Sequence, residues 1–406
     1  MHVIFVEPRF PENQRQFARA LKAAGAYVTG IGEAPVEALG SELSSWLDAY
    51  EQVGSVCDEQ AMLDTVRRVQ RRGWVDRLEA TVEAHMLPVA RVREAATIPG
   101  TSVETAFLCR DKPTMKEFLR QRGISTAASA AVGSAEEARA FAARVGYPII
   151  FKPRDGAGAA NTERIDSDGQ LEQAIRAHGI DRGHSVAAEE FIEGHEGFYD
   201  TLSIDGEPAY EFISHYYPGV LDAMRHRWIT PYLVTTNRLD EPGYDEAKTM
   251  GRAVLRDLGI GTSATHMEWF FGPKGLKFAE IGCRPPGVRV WDLYGAANEI
   301  DLYREWANAI VHGRVMSPLS RRYSAAMVAL RPNRDGRVTG YEGLEDIQRR
   351  FGRWVLDSHL PPPGHPTQPI EAGYMANAWI RLRHPDYDEL CRICDEIGRT
   401  VRVHAS

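Results

Sequence analysis

A glycine-rich loop behind a short apolar strand is the first stretch of this sequence whose residue types suit chemistry. Residues 147–161 read Tyr-Pro-Ile-Ile-Phe-Lys-Pro-Arg-Asp-Gly-Ala-Gly-Ala-Ala-Asn, with Lys152 at the end of the predicted strand and Gly156 and Gly158 in the loop. Small side chains let backbone N–H groups approach an anion, and a fixed lysine adds a positive charge. The lysine precedes the glycines and no Gly-Lys-Ser/Thr closes the loop, so this is not a Walker A loop. The stretch favours a polyphosphate site, and an ordinary flexible turn is the alternative.

Two acidic residues lie on neighbouring predicted strands, 266–271 and 276–282, which Gly-Pro-Lys-Gly joins. With a three-residue loop that ends at a left-handed Gly275, Glu268 lies opposite Glu280 with Cβ atoms about 5 Å apart. Two carboxylates so close repel each other unless a cation separates them, and a hard ion such as Mg²⁺ prefers oxygen ligands. A register shift of one residue would put the pair on opposite faces. The alternative to a metal site is a solvated strand face that carries two acids.

The rest of the chain predicts alternating strands and helices that must position these residues. The first strand and helix begin a β-α-β unit, but no Gly-x-Gly-x-x-Gly follows the strand, so a dinucleotide-binding domain is not indicated. Residues 216–238 read as an irregular segment. Strands are predicted at 3–6, 26–31, 149–151, 185–192, 199–204, 209–215, 266–271, 276–282, 325–330, 338–341, 354–358, 374–382 and 400–404. Helices are predicted at 13–24, 60–83 (one or two), 105–119, 134–146, 166–177 (capped by Asp168), 244–258, 299–311 and 387–397.

Composition bounds the class of protein. The chain has 406 residues, which at about 100–200 residues per domain suggests two to four domains. A net charge of −8 argues against a nucleic-acid binder. No apolar run approaches the ~20 residues that cross a membrane, and the N-terminus lacks a signal peptide, so we expect a cytoplasmic protein. Five cysteines do not make a disulfide scaffold. Cys391 and Cys394 are predicted to pack on one helix face, because no second Cys pair completes a metal site.

Taken together, the order and spacing of these motifs resemble the ATP-grasp superfamily across residues 100–315. The matching features are Lys112, the strand–Lys152–glycine loop, Glu-Glu-Phe-Ile-x-Gly-x-Glu at 189–196, Glu268, and Glu-x-x-x-Arg at 280–284. No single one of these motifs is decisive, but the ordered set of five is fairly specific.

The resemblance implies a mixed α/β and α+β fold in three parts. Residues 1–103 would form a Rossmann-like pre-ATP-grasp domain. A two-lobed ATP-grasp domain would follow at 104–315, with a small lobe at about 112–195 and a large lobe at about 196–315. Residues 316–406 would form a strand-rich C-terminal α+β lobe, similar to the closing lobe of biotin carboxylase and of L-amino-acid ligases.

The resemblance also implies nucleotide-binding roles for the matched residues. Phosphates would meet two lysines and the small-residue loop, adenine would meet a glutamate and strand backbone, and the ribose diol would meet a carboxylate. In that order the residues are Lys112, Lys152, Gly156 and Gly158 for the phosphates, Glu189, Glu190 and the Ile192 N–H for adenine, and Glu196 for the ribose.

The family's metal and catalytic roles fall on the second half of the motif set. Glu268 and Glu280 would hold Mg²⁺, with Mn²⁺ as an alternative ion, and Arg284 together with Lys152 would steady the transferred phosphoryl group. Many members place Asn two residues after the second glutamate as a further metal ligand, whereas this chain has Gly282. Either Glu280 and water serve the second ion, or only one ion binds tightly.

The chemistry implied is that of a carboxylate–amine ligase. ATP would phosphorylate a carboxylate, and an amine would attack the acyl-phosphate to form an amide or peptide bond with release of ADP and phosphate. His215, His226 and His266 are candidate bases for the amine, and structural roles are the alternative for each. Arg289, Arg225 and His215 are candidate substrate-binding residues, Arg289 through a bidentate pair with a carboxylate. The acceptor pocket is predicted along 215–238 and around Trp291 and Tyr294.

Two other functions stay open at this stage. A biotin-dependent carboxylase shares the fold, but that family continues Arg-x-Gln-Val-Glu-His where this chain has Pro-Pro-Gly-Val-Arg at 285–289. A non-catalytic nucleotide-binding regulator could have lost Glu268, Glu280 and Arg284, and this chain has kept them. The expected partners are small-molecule carboxylates and amines, with neither nucleic acid nor membrane, and a homodimer is one option for assembly.

Overall fold

A four-stranded parallel sheet lies nearest the N-terminus. The computed structural model of the chain describes residues 1–155, 161–369 and 378–406. In this sheet the strand order is β3–β2–β1–β4. The strands are β1 (His2–Val6), β2 (Tyr27–Gly32), β3 (Ala49–Gln52) and β4 (Arg77–Glu79), and the helices are α1 (Gln14–Ala23), α2 (Gly40–Trp46), α3 (Glu59–Gln70) and α4 (Glu83–Ala95). The predicted β-α-β start is confirmed. The prediction of one or two helices over 60–83 holds for α3 and is wrong at β4, because a three-residue strand is too short to show strand alternation.

A small antiparallel sheet follows, with strand order β5–β8–β6–β7. Its strands are β5 (Ser129–Val132), β6 (Ile149–Lys152), β7 (Glu163–Ile165) and β8 (Val186–Glu190), and the helices of this region are α5 (Val103–Leu108), α6 (Lys112–Arg120), α7 (Ala135–Val145) and α8 (Asp168–Ala177). Phe141 and Phe151 are buried in its core. The cap of α8 is Ser167, whose hydroxyl accepts from the Gln170 N–H, and not Asp168 as predicted.

The central sheet is antiparallel and has eight strands, in the order β13–β12–β9–β10–β11–β14–β17–β16. Its first five strands in the chain are β9 (His195–Ile204), β10 (Glu207–Tyr217), β11 (Tyr232–Thr235), β12 (Ser263–Gly272) and β13 (Gly275–Gly282). The helices are α9 (Val220–Arg225), α10 (Asp245–Asp257), α11 (Val290–Asn298) and α12 (Leu302–His312). The β9–β10 hairpin turns at Asp205-Gly206, as predicted, with both residues at positive φ. Residues 216–238 are not irregular, since they complete β10 and form α9 and β11.

Strands from the C-terminal quarter extend this same central sheet. They are β14 (Ser324–Leu330), β16 (Val355–His359) and β17 (Ala378–His384), while β15 (Val338–Glu342) pairs with β18 (Arg402–Ala405) apart from it. The helices α13 (Leu344–Phe351) and α14 (Tyr387–Thr400) cover this end. Strand β11 pairs with β14 along four residues, so residues 316–406 share a sheet with the preceding part instead of standing as a separate lobe.

Two further sequence predictions concern the C-terminal region and membrane spans. Cys391 and Cys394 are free thiols on α14, and Cys394 is buried in the core, which agrees with a packed pair. The predicted strand at 374–382 begins with four residues, 374–377, that lie outside the described residues. Within the described ranges, each helix is too short or too polar to cross a bilayer.

Aromatic packing joins the N-terminal sheet to the central sheet. Phe17 of α1 is buried, and its ring lies 4.8 Å from that of Tyr303 and 5.0 Å from that of Trp306, both on α12. Both contacts are edge-to-face, the arrangement that aromatic quadrupoles favour. The N-terminal unit is therefore held against α12 by a dry contact.

We expect Phe17→Ala to lower the free energy of unfolding by about 3–5 kcal/mol, because it leaves a cavity among packed rings. Urea denaturation followed by circular dichroism measures this loss. The matched control is Phe10→Ala, at a side chain that is 68% exposed, which should change stability by less than about 0.5 kcal/mol. Equal effects of the two variants would contradict the docking role of Phe17.

Candidate active site

A cavity of about 1020 Å³ lies where the small sheet meets the central sheet. Residues of α6, β6 and β8 line one side, and residues of β9, β10, α9, β12 and β13 line the other. The cavity collects most of the charged residues that the sequence pointed to. The predicted residues that line it are Lys112, Lys152, Glu189, Glu190, Glu196, His266, Glu268, Glu280 and Arg284, together with Ile192, and Lys116 lines it as well.

Three lysines enter the cavity from two elements. Lys152 ends β6, and Lys112 opens α6, whose first turn is capped by the Asp111 carboxylate. Lys116 lies one helical turn after Lys112 and is only 1% exposed. Lys116 is not among the site residues predicted from the sequence. Its i+4 spacing from Lys112, on the buried face of an amphipathic helix, indicates that the two side chains lie close together.

One oxygen of Glu189 binds two of these lysines. Its Oε2 lies 2.7 Å from Lys116 Nζ and 2.9 Å from Lys152 Nζ. Its Oε1 is buried and has no hydrogen-bond partner among the described residues. Burial would raise the pKa of Glu189, but the two lysine charges outweigh it and lower the pKa. The carboxylate is therefore ionised, with one oxygen available to a donor in the cavity.

The pKa values of Lys116 and Lys152 shift in opposite directions. Burial lowers the pKa of Lys116 to about 8, against the opposing charge of Glu189. Burial would also lower the pKa of Lys152, but Glu189 and Glu280 outweigh it and raise the pKa. Lys152 is thus firmly a cation at neutral pH, whereas at Lys116 the effect of burial exceeds that of the Glu189 charge.

The predicted pairing of Glu268 with Glu280 is confirmed by the register of β12 and β13. The loop differs from the prediction, because Gly272 pairs with Gly275 and only two residues form the turn. A bulge at Ala279 of β13, opposite the step from Glu268 to Trp269 on β12, supplies the missing residue and restores the pairing. Gly275 is left-handed, with φ of +74°, as predicted.

The two facing carboxylates have different partners. Glu280 Oε2 lies 3.4 Å from Lys152 Nζ and 3.5 Å from Lys112 Nζ. Burial would raise the pKa of Glu280, but the lysine charges lower it to about 2. Glu268 Oε1 lies 3.5 Å from His266 Nε2. The described residues hold no group of three or more metal-ligand side chains, so this pair would supply two ligands and leave the others to phosphate and water.

His266 belongs to a buried chain of polar groups behind Glu268. Its Nδ1 lies 2.8 Å from Asp200 Oδ1, and the Tyr294 hydroxyl donates to Asp200 Oδ2 at 2.6 Å. Burial would lower the pKa of His266, but the carboxylates of Asp200 and Glu268 raise it to about 9. Such a histidine is a poor acceptor of protons at neutral pH, which argues against His266 as the base.

The remaining nucleotide-site candidates also reach this cavity. Glu196 is buried, and its Oε2 accepts from the Val220 N–H at 2.7 Å. Burial, with a further contribution from Glu268, raises the pKa of Glu196 to about 8. The Glu190 carboxylate is already bonded to Lys274 and to the Ala128 N–H, and the Glu190 N–H donates to the Ala128 carbonyl at 2.8 Å.

Arg284 is held by a residue that the sequence analysis missed. Its Nε donates to Glu83 Oε2 at 2.6 Å, and its Nη1 donates to the Pro285 carbonyl at 2.8 Å. Glu83 opens α4 of the N-terminal unit and also binds Arg110, with Arg110 Nη1 at 3.1 Å from Glu83 Oε1. The partners lie 201 residues apart in the chain, so no local pattern could indicate them.

The candidate substrate residues are not brought to the lining of this cavity. Successive residues of β10 point to opposite faces, so that Tyr216 faces the cavity and His215 faces away. His215 bonds His195 and Tyr244 instead, and burial lowers its pKa to about 3. Arg225 is exposed at the end of α9.

Four further residues that were predicted near a substrate also lie away from the cavity lining. Arg289 turns away from the cavity, and its Nε donates to Asp292 at 2.8 Å. Trp291 and Tyr294 are fully buried in the core and cannot line an acceptor pocket. His226 stacks on the exposed ring of Trp228. Gly156 and Gly158 lie outside the described residues.

We expect Lys116→Met to lower the free energy of unfolding by about 3 kcal/mol, because it leaves Glu189 short of a partner in a buried site. The double variant Lys116→Met/Glu189→Leu should recover part of this loss, since apolar side chains replace both charges. Urea unfolding at pH 7 measures both effects. The control is Lys22→Met, at a partly exposed pair with Asp48, which should cost less than about 1 kcal/mol. A double variant no more stable than Lys116→Met would contradict this account.

Comparison with known proteins agrees with the geometry. A family model described as the ATP-binding domain of the carbamoyl-phosphate synthase L chain matches residues 111–195. The chain is 26% identical over 326 residues to an L-arginine-specific L-amino acid ligase from Bacillus subtilis, which covers 78% of this chain and 77% of that protein.

Solved structures show the same fold over the whole chain. An L-amino acid ligase from Bacillus licheniformis superimposes with a TM-score of 0.76 at 18% identity, covering 100% of this chain and 98% of that one. The biotin carboxylase domain of the Hydrogenobacter thermophilus 2-oxoglutarate carboxylase, solved with MgADP and bicarbonate, gives 0.69 at 16% identity, covering 99% and 90%.

Proposed function

We propose that the chain is an ATP-dependent ligase of the ATP-grasp superfamily, and that the cavity described above is where it joins a carboxylate to an amine. The observation that carries this proposal is the meeting, in one cavity, of three lysines, two facing carboxylates and Arg284. Polyphosphate binding, metal binding and stabilisation of a transferred phosphoryl group need these three kinds of group together.

The adenine end of ATP is proposed to lie against β8. Glu189 Oε1 is ionised, buried and without a partner among the described residues, so it suits the amino group of adenine. Ile192 lines the same wall, where a backbone N–H suits a ring nitrogen. Glu196 lies on the other side of the cavity for the ribose hydroxyls.

The phosphates and the metal are proposed to share the lysine cluster. Glu268 and Glu280 would hold Mg²⁺, or Mn²⁺ as an alternative, through oxygen donors that both ions accept. The bound ion neutralises charge on the phosphates and orients them. Lys112 and Lys152 contact Glu280 in this structure. With ATP bound, their ammonium groups would also contact the phosphate oxygens.

The reaction then needs positioning more than covalent catalysis. Arg284 and Lys152 stabilise negative charge on the phosphoryl group while a substrate carboxylate oxygen attacks phosphorus and the bond to ADP breaks. The same two cations steady the resulting acyl-phosphate. An amine attacks its carbonyl carbon, phosphate leaves with the bonding electrons, and the proton released from the nitrogen passes to the leaving phosphate. Cavity walls exclude water, which would otherwise hydrolyse the intermediate.

An acceptor pocket is proposed along the apolar part of the cavity. Its walls include Tyr216, Val220, Leu221, Pro286 and Val288. These side chains suit an aliphatic or aromatic substrate group better than a charged one. Since relatives of this chain are L-amino acid ligases, we propose that one substrate is an amino acid with an apolar side chain.

The experiment that tests the function is ATP turnover with Mg²⁺ against L-amino acids and small carboxylates, singly and in pairs. We expect ADP and not AMP, a hydroxamate when hydroxylamine traps the acyl-phosphate, and a dipeptide or amide with the right pair. Chelation of the metal should abolish all three products. Formation of AMP, or of ADP without any trapped or ligated product, would overturn the ligase assignment.

We expect Glu280→Gln to reduce kcat by about 1,000-fold or more while the fold survives, because the variant removes a metal-binding charge in the transition state. Steady-state kinetics and a thermal melt check the two parts. The control is Glu172→Gln, which breaks an exposed ion pair with Arg139 and should leave kcat unchanged. Normal turnover in Glu280→Gln would show that Glu280 holds no catalytic metal.

A further inference from the structure

The orientation of Arg284 depends on the N-terminal unit of the chain. Its guanidinium is bonded at Nε by Glu83 and at Nη1 by the Pro285 carbonyl. Nη2 has no protein hydrogen-bond partner among the described residues, and Arg284 lines the cavity. Two of the three guanidinium nitrogens therefore fix the plane of the group, and the third is left for an oxygen of the ligand.

Glu83 is itself fixed at both oxygens. Oε2 accepts from Arg284 and Oε1 accepts from Arg110 at 3.1 Å. Burial would raise the pKa of Glu83, but the two arginines outweigh it and lower the pKa. The carboxylate also opens α4, where the helix dipole favours a negative charge. Glu83 is thus an ionised, immobile acceptor for Arg284.

Gly282 explains why this contact is possible. A Cβ atom at residue 282 would lie 3.1 Å from Glu83 Oε2 and 3.5 Å from Arg284 Cγ and Nε. The backbone φ of Gly282 is not positive, so the glycine is not required by conformation. A Cβ atom at this position would press on Glu83 Oε2, and the further atoms of an asparagine would have to share the space around the Glu83–Arg284 pair.

We propose that Glu83 is a positioning residue for the phosphoryl-transfer step, which it serves by aiming Arg284, and that Gly282 is the substitution that makes room for it. The inference rests on the function proposed above. It makes the N-terminal sheet unit part of the reaction centre, because a residue of α4 sets the direction of the arginine. It also explains why residue 282 is a glycine where many ATP-grasp members have a metal-binding asparagine. In this chain the Glu83–Arg284 ion pair lies in the space beside that position.

The test compares Glu83→Gln, Gly282→Asn and a control, Glu59→Gln, which breaks a partly exposed pair with Arg91 between α3 and α4. We expect kcat to fall about 100-fold in the first two variants, because a small misplacement of a catalytic group has this effect. KM for ATP should change by less than about twofold, since the loss falls on the transition state. The control should match the wild-type protein in both constants.

A double variant separates positioning from general damage to the fold. If Glu83 acts through Arg284, then Glu83→Gln added to Arg284→Lys causes no further loss of kcat. Losses that multiply would overturn the proposal. So would Glu83→Gln with wild-type kcat, or a raised KM for ATP with unchanged kcat.

A second measurement needs no carboxylate substrate and separates this inference from the proposed function. MgADP with aluminium fluoride mimics the transferred phosphoryl group and should bind more tightly than MgADP alone to the wild-type protein. Glu83→Gln and Gly282→Asn should lose that enhancement and keep the affinity for MgADP. If the wild-type protein shows the enhancement but no turnover, loss of the enhancement in the two variants would still support the role of Glu83. A wild-type protein with neither turnover nor enhancement would overturn both proposals, and an enhancement kept in both variants would overturn this one alone.

Discussion

The structure depends on the burial of opposite charges in one cavity. Among the described residues, three lysine ammonium groups contact two carboxylates, Glu189 and Glu280, and each of these carboxylates lies within 3.5 Å of two lysines. Such a cluster is costly to bury, since desolvation opposes each charge and one unpaired member would destabilise the fold. In the function proposed above, this lysine cluster also binds the phosphates of the nucleotide.

The charges of this cluster come from five elements, so the scaffold must hold all five in fixed positions. The lysines come from α6 and β6, Glu189 from β8, and the facing pair from the β12–β13 hairpin. Backbone hydrogen bonds fix positions within each sheet, and dry packing fixes one unit against another, as Phe17 shows between α1 and α12. The C-terminal strands add rigidity by continuing the central sheet through β14.

The β12–β13 hairpin shows how a local prediction can be right for a reason other than the one assumed. The Glu268–Glu280 pairing was predicted from a three-residue loop, and the structure reaches the same pairing through a two-residue turn and a bulge. Both arrangements carry one extra residue on β13, so the register beyond the extra residue is the same. Both carboxylates face the cavity only in this register, so the register is constrained. The extra residue can lie in the turn or in the strand without changing it.

The sequence by itself determined the order of motifs, most of the elements and the charged residues that line the cavity, because strand alternation, helix caps and glycine loops are local signals. Lys116 was within reach of the same reasoning through its helical spacing. Only the tertiary structure decided that Glu83 binds Arg284 across 201 residues, that His215 faces away from the cavity, and that β14 joins the central sheet. These outcomes depend on which faces of distant elements pack together. No spacing along the chain encodes such a contact, since it arises only when burial of apolar faces brings the elements into register.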